Sequence, residues 1–234
     1  MAVRVGTSGY NYTEWRGSFY PPKFATAKML PYYAERFATV EINYTFYRIP
    51  SAQSVALWDR ETPAGFCFAL KAPKRVTHDA RLRNAEESVA YFLQTARGLG
   101  PKLGPILFQL PPNFRKDIDR LNGLLDQLPT DLRYAFEFRH PSWFDDEVYA
   151  RLGAANAALC IADTGDGEPA IVATADFGYL RLRDEGYTTA DLEQWRATLA
   201  RLQAGWRDTF VYFKHEESGI GPALAHQLIG LLER

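Results

Sequence analysis

Eight short apolar runs of strand length recur along the chain: Val3–Ser8, Val40–Tyr44, Phe66–Lys71, Pro105–Leu110, Tyr134–Arg139, Ala158–Asp163, Tyr179–Arg183 and Phe210–Lys214. Most of the segments between them have helical spacing. Ile118, Leu121, Leu125 and Leu128 share one face, as do Leu192, Trp195, Leu199 and Leu202, and the last helix repeats the pattern with Leu224, Leu228, Leu231 and Leu232. Thr188-Thr189 with Asp191 reads as a helix start, and Pro129 closes the helix that ends near Leu128. Eight such units in 234 residues average about 29 residues each, the repeat of a closed parallel barrel. An open doubly wound sheet alternates too, but it begins on a Gly-rich first turn that is absent here. The expected fold is α/β, a single (β/α)8 TIM-type barrel spanning residues 1–234. Two irregularities stand out. The sixth unit, residues 164–176, has no amphipathic helix, and the first βα loop, Gly9 to about Lys28, is long and rich in aromatic residues.

In a closed barrel, alternate side chains point inward. That parity sends Glu41 and Asn43 inward on strand two, leaving Val40 and Ile42 for the helices. On strand five Ala135, Glu137 and Arg139 face inward and Tyr134, Phe136 and Phe138 outward. Lys71 follows Cys67 and Ala69, Gln109 follows Leu107, and Arg181 and Lys214 obey the same rule. Asp163 has the opposite parity if Cys160 and Ala162 face inward. These polar positions all sit toward the C-terminal ends of their strands, the rim on which barrel active sites form. The bland alternative is a self-satisfied ring of ion pairs that only closes the barrel mouth.

On that rim Lys71, Arg139, Arg181 and Lys214 outnumber Glu41 and Glu137, so a small anionic ligand is expected there. The whole chain carries no such bias, with 27 Lys+Arg against 28 Asp+Glu, which gives no global attraction to nucleic acid or an anionic membrane. After strand eight, Glu216 to Pro222 places Gly219 and Gly221 at a helix start, where free backbone N–H groups suit an anion. His78, after strand three, is a candidate acid/base. His140 and His215 read as loop-packing residues by parity. No cofactor is expected. A divalent metal on Glu41, Glu137, Asp163 and a histidine is the competing reading, opposed by the surrounding cations and by the lack of HExxH-like spacing. Nucleophile-elbow, Walker and dinucleotide motifs are absent. The two cysteines, Cys67 and Cys160, read as inert core residues. With no signal-peptide pattern and no apolar run of about 18 residues, a soluble, cytoplasmic protein is expected.

Several longer strings, GTSGYNYTEWRGSFYPP, TVEINYTFYRIPS, FALKAPKRVTHDARL, KLGPILFQLPPNF and YAFEFRHPSWF, resemble in content and order the YecE-like group, domain-of-unknown-function family 72. The resemblance runs from about Val3 to Phe144, with a weaker YLRLR segment near Tyr179. It implies a TIM-type barrel and supplies no activity. The positions matching its motifs are Glu41, Asn43, Tyr47, Arg48, Lys71, Thr77, His78, Gln109, Glu137, Arg139, His140 and Trp143. The C-terminal third departs from the pattern: Arg181-Leu182-Arg183-Asp184 stands where relatives tend to read RLHG, and Tyr212-Phe213-Lys214-His215-Glu216 where they tend to read YFNND.

Three functions fit this reading. The first is an enzyme, a hydrolase or isomerase, doing acid/base chemistry on a small anionic, phosphorylated or sugar-like substrate. Glu41 or Glu137 would transfer the proton, His78 would assist, and Lys71, Arg139 and Arg181 would hold the anion. The second is a nucleic-acid binder or phosphodiesterase that stacks bases on loop aromatics. The third is a non-catalytic protein that uses the aromatic loop to bind a partner.

Overall fold

The computed structural model describes residues 2–216 and 219–234. Eight parallel strands close into a barrel in sequence order: β1 (Ala2–Ser8), β2 (Thr39–Ile42), β3 (Cys67–Lys71), β4 (Leu103–Gln109), β5 (Tyr134–Glu137), β6 (Ala158–Asp163), β7 (Phe177–Leu182) and β8 (Asp208–Phe213). Closure comes from β1 on β8, paired from Ala2↔Asp208 to Thr7↔Phe213. Helices α1 (Met29–Ala34), α2 (Tyr44–Tyr47), α3 (Ala52–Arg60), α4 (Glu86–Ala96), α5 (Ile118–Gln127), α6 (Asp146–Ala154), α7 (Thr189–Leu202) and α8 (Ile220–Leu232) are interleaved with them. This is a TIM-type α/β barrel.

The period-2 pattern divides the buried residues into two cores. Val40, Ile42, Phe68, Leu70, Phe108, Phe136, Leu180 and Val211 belong to the outer core beneath the helices. Inside the barrel, small residues on β3, β5 and β6 (Cys67, Ala69, Ala135, Ala158 and Cys160) accompany Phe177, Tyr179, Phe210 and Tyr212 on β7 and β8. Small residues among large ones let the interior fill to native density. Both cysteines are buried and free. At the N-terminal end Asp208 accepts hydrogen bonds from Arg4 (3.1 Å) and Arg133 (2.9 Å), which ties the bottom of the barrel together.

Gly6 shows how tight the packing is. A Cβ there would lie 2.2 Å from the backbone oxygen of Thr39 and 2.9 Å from the Tyr33 hydroxyl. That hydroxyl already accepts from Thr7 N (2.8 Å) and donates to Thr39 O (3.0 Å). Gly6→Ala is therefore expected to push β1 off β2 and cost about 1–3 kcal/mol. A lower urea midpoint with an unchanged slope would register this, and an unchanged midpoint would contradict it.

Helix boundaries follow local chemistry. Thr188 and Asp191 form a capping box at the start of α7, and Asp117 caps α5 by accepting from Arg120 N. Leu192, Trp195 and Leu199 bury the α7 face, and Leu224, Leu228 and Leu231 that of α8. On α5 the buried residues are Leu121, Leu124 and Leu125, with Ile118 only partly covered. Two strands, β2 and β5, end two residues earlier than their apolar runs. The expected β2 run to Tyr44 stops at Ile42 because Asn43 turns helical and Thr45 Oγ1 donates to Ile42 O (3.0 Å) and Lys71 O (2.6 Å). The run expected to reach Arg139 leaves the ladder after Glu137.

Both expected irregularities are present. No helix joins β6 to β7. Thr174 instead pins the connection by accepting from Leu159 N (2.7 Å) and donating to Ala157 O (2.7 Å). In the first loop Trp15 and Tyr20 are almost wholly buried, and Trp15 Nε1 donates to Glu216 O at 2.9 Å. Much of that aromatic content is packing. Its remainder, Tyr10, Asn11 and Tyr12, reaches the barrel mouth. Among the described residues no helix is long and apolar enough to cross a membrane.

Candidate active site

The C-terminal mouth of the barrel is built in two tiers. The lower tier is a fully buried charge cluster. Arg181, at the inward-facing end of β7, reaches across to Glu41 on β2, with Nη2 2.9 Å from Oε1, and to Glu137 on β5 through Nη1. All three side chains have zero exposure. The second oxygen of Glu41 accepts from the Tyr179 hydroxyl at 2.6 Å, and its first also accepts from Ser8 Oγ. Asn43 Nδ2 donates to that same Ser8 hydroxyl at 2.6 Å. Glu137 Oε1 accepts from Arg139 Nε at 3.0 Å and lies 4.0 Å from Arg183 Nη2.

Pairing decides the electrostatics here. Burial alone would raise the Glu137 carboxyl, but Arg181, Arg139 and Arg183 together outweigh it and hold the group down at about 2. Burial would likewise disfavour charged Arg181, yet Glu41 and Glu137 raise its pKa well above the usual value. Tyr179 is pushed up by burial and then by Glu41, so it remains a donor. Among the described residues three polar atoms in this region are buried without a partner: Arg181 Nε, Arg183 Nε and Asn43 Oδ1.

The upper tier is an open cleft of about 770 Å³, a volume suited to a small molecule. Lys71, His78, Arg139 and Lys214 bring positive or protonatable nitrogen to it, while Tyr10, Tyr12, Phe46, Tyr47 and Trp58 supply apolar wall. Glu216 also lines it and is paired with Lys214 at 3.3 Å. Lys71 differs from the other buried cations. It is 9% exposed, forms no salt bridge among the described residues, and has its Nζ 4.2 Å from the centroid of the Phe46 ring. Burial, and then the Arg181 charge, lower its pKa to about 8, against the opposing pull of Glu41 and Glu137. His78 is lowered too, first by burial and then by Lys71. Its Nδ1 is 2.9 Å from Thr77 Oγ1, and its ring meets Phe46 edge to face.

Of the residues singled out in the sequence, Asn43, Tyr47, Lys71, His78, Gln109, Arg139 and Lys214 line the cleft, and Glu41, Glu137 and Arg181 form the tier beneath it. The others lie elsewhere. Arg48 faces a neighbouring groove beside Pro73, Lys74 and Tyr91. His140 accepts from Ser142 N and caps a short helical turn. Trp143 is wholly buried, stacked on Phe138 at 4.7 Å with Nε1 donating to Phe114 O at 2.7 Å. Gly219 and Gly221 border the start of α8 rather than the cleft. Gly219 has a φ of 75°, and a Cβ on Gly221 would come 2.9 Å from His215 O. Glu217 and Ser218, in the same expected anion turn, lie outside the described residues. Asp163 points outward, accepting from Tyr187 OH (2.6 Å) and Trp195 Nε1 (3.3 Å), so it cannot join Glu41 and Glu137 around a metal. Among the described residues no three His, Cys, Asp or Glu side chains are grouped to hold an ion. His215 packs, with Nε2 2.6 Å from Asp184 O.

Sequence reasoning passed over Ser8 and Tyr179. Both were open to the parity argument that found Glu41 and Arg181. Ser8 ends the first strand, and Tyr179 stands two residues before Arg181.

Comparison with known proteins places this architecture in a family. The profile of the family described as "Protein of unknown function DUF72" matches residues 4–234. The chain belongs to the DUF72 family. That match also covers the C-terminal third, where the motif resemblance is weak. The chain is 36% identical to UPF0759 protein YecE of Escherichia coli strain K12 over 113 residues, so it spans 42% of YecE in that match. Its similarity to UPF0759 protein YunF of Bacillus subtilis extends over 99% of this chain and 95% of that one, at 27% identity. The crystal structure of a DUF72 protein from Thermotoga maritima superposes with a TM-score of 0.89 at 26% identity, covering 100% of both chains. One from Enterococcus faecalis, 19% identical, shares the fold with a TM-score of 0.83 over 99% of this chain and 96% of that one.

Proposed function

We propose that this DUF72 barrel is an enzyme that binds a small anionic, phosphorylated or sugar-like substrate in the cleft and performs acid/base chemistry on it, of the hydrolase or isomerase kind. The observation that carries the reading is Lys71, a buried amine without a salt bridge among the described residues, facing a cleft it shares with Arg139 and Lys214. Proton transfer is assigned to Lys71, with His78 assisting, rather than to the carboxylates. Glu137 is held ionised under three arginines, and both oxygens of Glu41 already accept hydrogen bonds. A group poised near the working pH is the better proton carrier. Arg139 and Lys214 grip the anion, and Tyr10, Tyr12 and Phe46 pack against its carbon skeleton.

Thermal-shift titration tests this. Sulfate keeps a constant charge from neutral to mildly alkaline pH. Its stabilisation of the protein is expected to weaken as the pH rises through about 8, where Lys71 loses its positive charge. At about 100 times Kd a ligand adds about 2.7 kcal/mol, which raises Tm by several degrees in a domain of this size. Lys71→Met should bind sulfate more weakly and lose turnover of whichever sugar phosphate shifts the parent protein. If neither sulfate, inorganic phosphate nor a panel of sugar phosphates moves Tm, the reading fails.

A second reading, binding of single-stranded nucleic acid, is favoured by the exposure of Tyr44 (51%) and Tyr47 (79%) at the cleft lip beside these cations. It predicts oligonucleotide binding that weakens steeply with salt.

A further inference from the structure

We propose that Lys71 forms an imine with its substrate, so that the cleft takes a small aldehyde or ketone that also carries a phosphate or carboxylate. This rests on the reading of the cleft as a small-anion site, names the substrate class more narrowly, and makes the Lys71 amine the nucleophile, so that proton transfer passes to His78.

The other buried cations among the described residues are matched by oxygen acceptors. Arg181 has two carboxylates, and Lys102 donates to Thr62 O at 2.8 Å and pairs with Asp59 at 3.0 Å. Among the described residues Lys71 has only an aromatic face, at 4.2 Å. An ammonium held away from water without an anion is costly, and the simplest relief is loss of its proton. The groups around it come from several elements: Arg181 on β7, Glu41 on β2, Glu137 on β5, Arg139 just beyond β5, and His78 in the turn after β3. Glu41 and Glu137 are both engaged by Arg181, which leaves their attraction for Lys71 partly spent. Lys71 is accordingly drawn down to about 8, which leaves an appreciable fraction of free amine near neutral pH. Desolvation beside another cation is a recognised way of activating a lysine as a nucleophile.

The rest of the cleft fits the reaction. The Nζ lone pair attacks the carbonyl carbon, forming a C–N bond while the C=O π pair moves to oxygen, which takes up a proton. Nζ gives up a proton to a base, and the resulting carbinolamine hydroxyl is protonated and leaves as water. The products are one C=N bond and one water, with no net oxidation. His78 lines the same cleft as the candidate for carrying these protons. Once protonated, the imine is an electron sink for removal of a proton from the adjacent carbon, the step an isomerase needs. Arg139 and Lys214 are positioned in the cleft wall to hold the anionic end of the substrate.

The test is reductive trapping on the full chain. The protein is incubated with dihydroxyacetone phosphate, or separately with pyruvate, in the presence of sodium cyanoborohydride, and then mapped by peptide mass. Hydride reduces the iminium to a stable secondary amine. The expected result is an adduct concentrated on the Lys71 peptide, suppressed by excess sulfate and absent from Lys71→Arg, which keeps the positive charge. Because the wild-type map reads the site directly, the result stands even if the variant folds poorly. If sulfate still raises Tm but Lys71 carries no more adduct than the other lysines, the imine is overturned while the small-anion reading survives. If sulfate has no effect and no adduct forms at Lys71, both fall.

Discussion

Replacing Arg181 by methionine is expected to destabilise the barrel by about 3–5 kcal/mol, the cost of stranding buried charge. For a domain of this length that lowers Tm by on the order of 10 °C. The reason lies in what remains behind. Glu41 and Glu137 approach the same guanidinium from strands on different sides of the barrel, and neither is exposed to water. With the arginine gone, among the described residues Glu41 keeps only its neutral donors, Ser8 and Tyr179, and Glu137 keeps Arg139 and, at 4.0 Å, Arg183. A neutral cluster of similar volume would avoid that cost. The triple variant Arg181→Met, Glu41→Gln, Glu137→Gln should therefore recover much of the loss, and chemical denaturation of the single and triple variants measures the difference. If the triple variant is no more stable than Arg181→Met alone, the destabilisation arises from lost packing rather than from unpaired charge.

Acid should expose the same cluster through Glu137. Its carboxyl sits at about 2 in the folded protein against an ordinary value of 4.5, so the folded state favours the ionised form. The stabilisation is therefore fully present above pH 4.5, falls away as the pH drops from 4.5 toward 2, and is gone below that. At 1.36 kcal/mol per unit the shift corresponds to on the order of 3 kcal/mol. Surface carboxylates such as Asp131, Asp145 and Asp191 are also drawn down by their partners, so the wild type loses stability in acid for several reasons. Comparison with Glu137→Gln isolates one of them. The variant should be less stable than the wild type at pH 6 and nearly equal to it near pH 2. A gap that stays constant across that range would mean that Glu137 does not titrate between those limits.

Both predictions concern residues that a simple alternation in the sequence had marked. Glu41 between Val40 and Ile42, and Glu137 between Phe136 and Phe138, are charges on the inner face of strands whose other face is apolar. A period of two is a property of the extended backbone itself, so it can be read without knowing what lies opposite. The same reasoning flagged Asp163 as out of phase, and that side chain does point outward, toward Tyr187 and Trp195. The Thr188–Asp191 helix start and the missing sixth helix were legible for a similar reason, since each depends on residues close together in the chain.

Local pattern could not say which charges meet. Arg181 and Glu41 are 140 positions apart, and their contact exists only because the barrel closes and its strands tilt, which aligns the end of β7 with the end of β2. That contact satisfies Glu41 and Glu137 and leaves Lys71, among the described residues, with an aromatic ring in place of a salt bridge, which is why the proton carrier proposed above is the amine. Trp143 and much of the aromatic first loop matched family motifs yet turned inward to pack, because their burial depends on neighbours from other loops, whereas His140 caps its own short turn through Ser142. Fold and rim were therefore written in short-range periodicity, whereas the division of the rim into a neutralised floor and a cationic cleft was decided by contacts across the closed barrel.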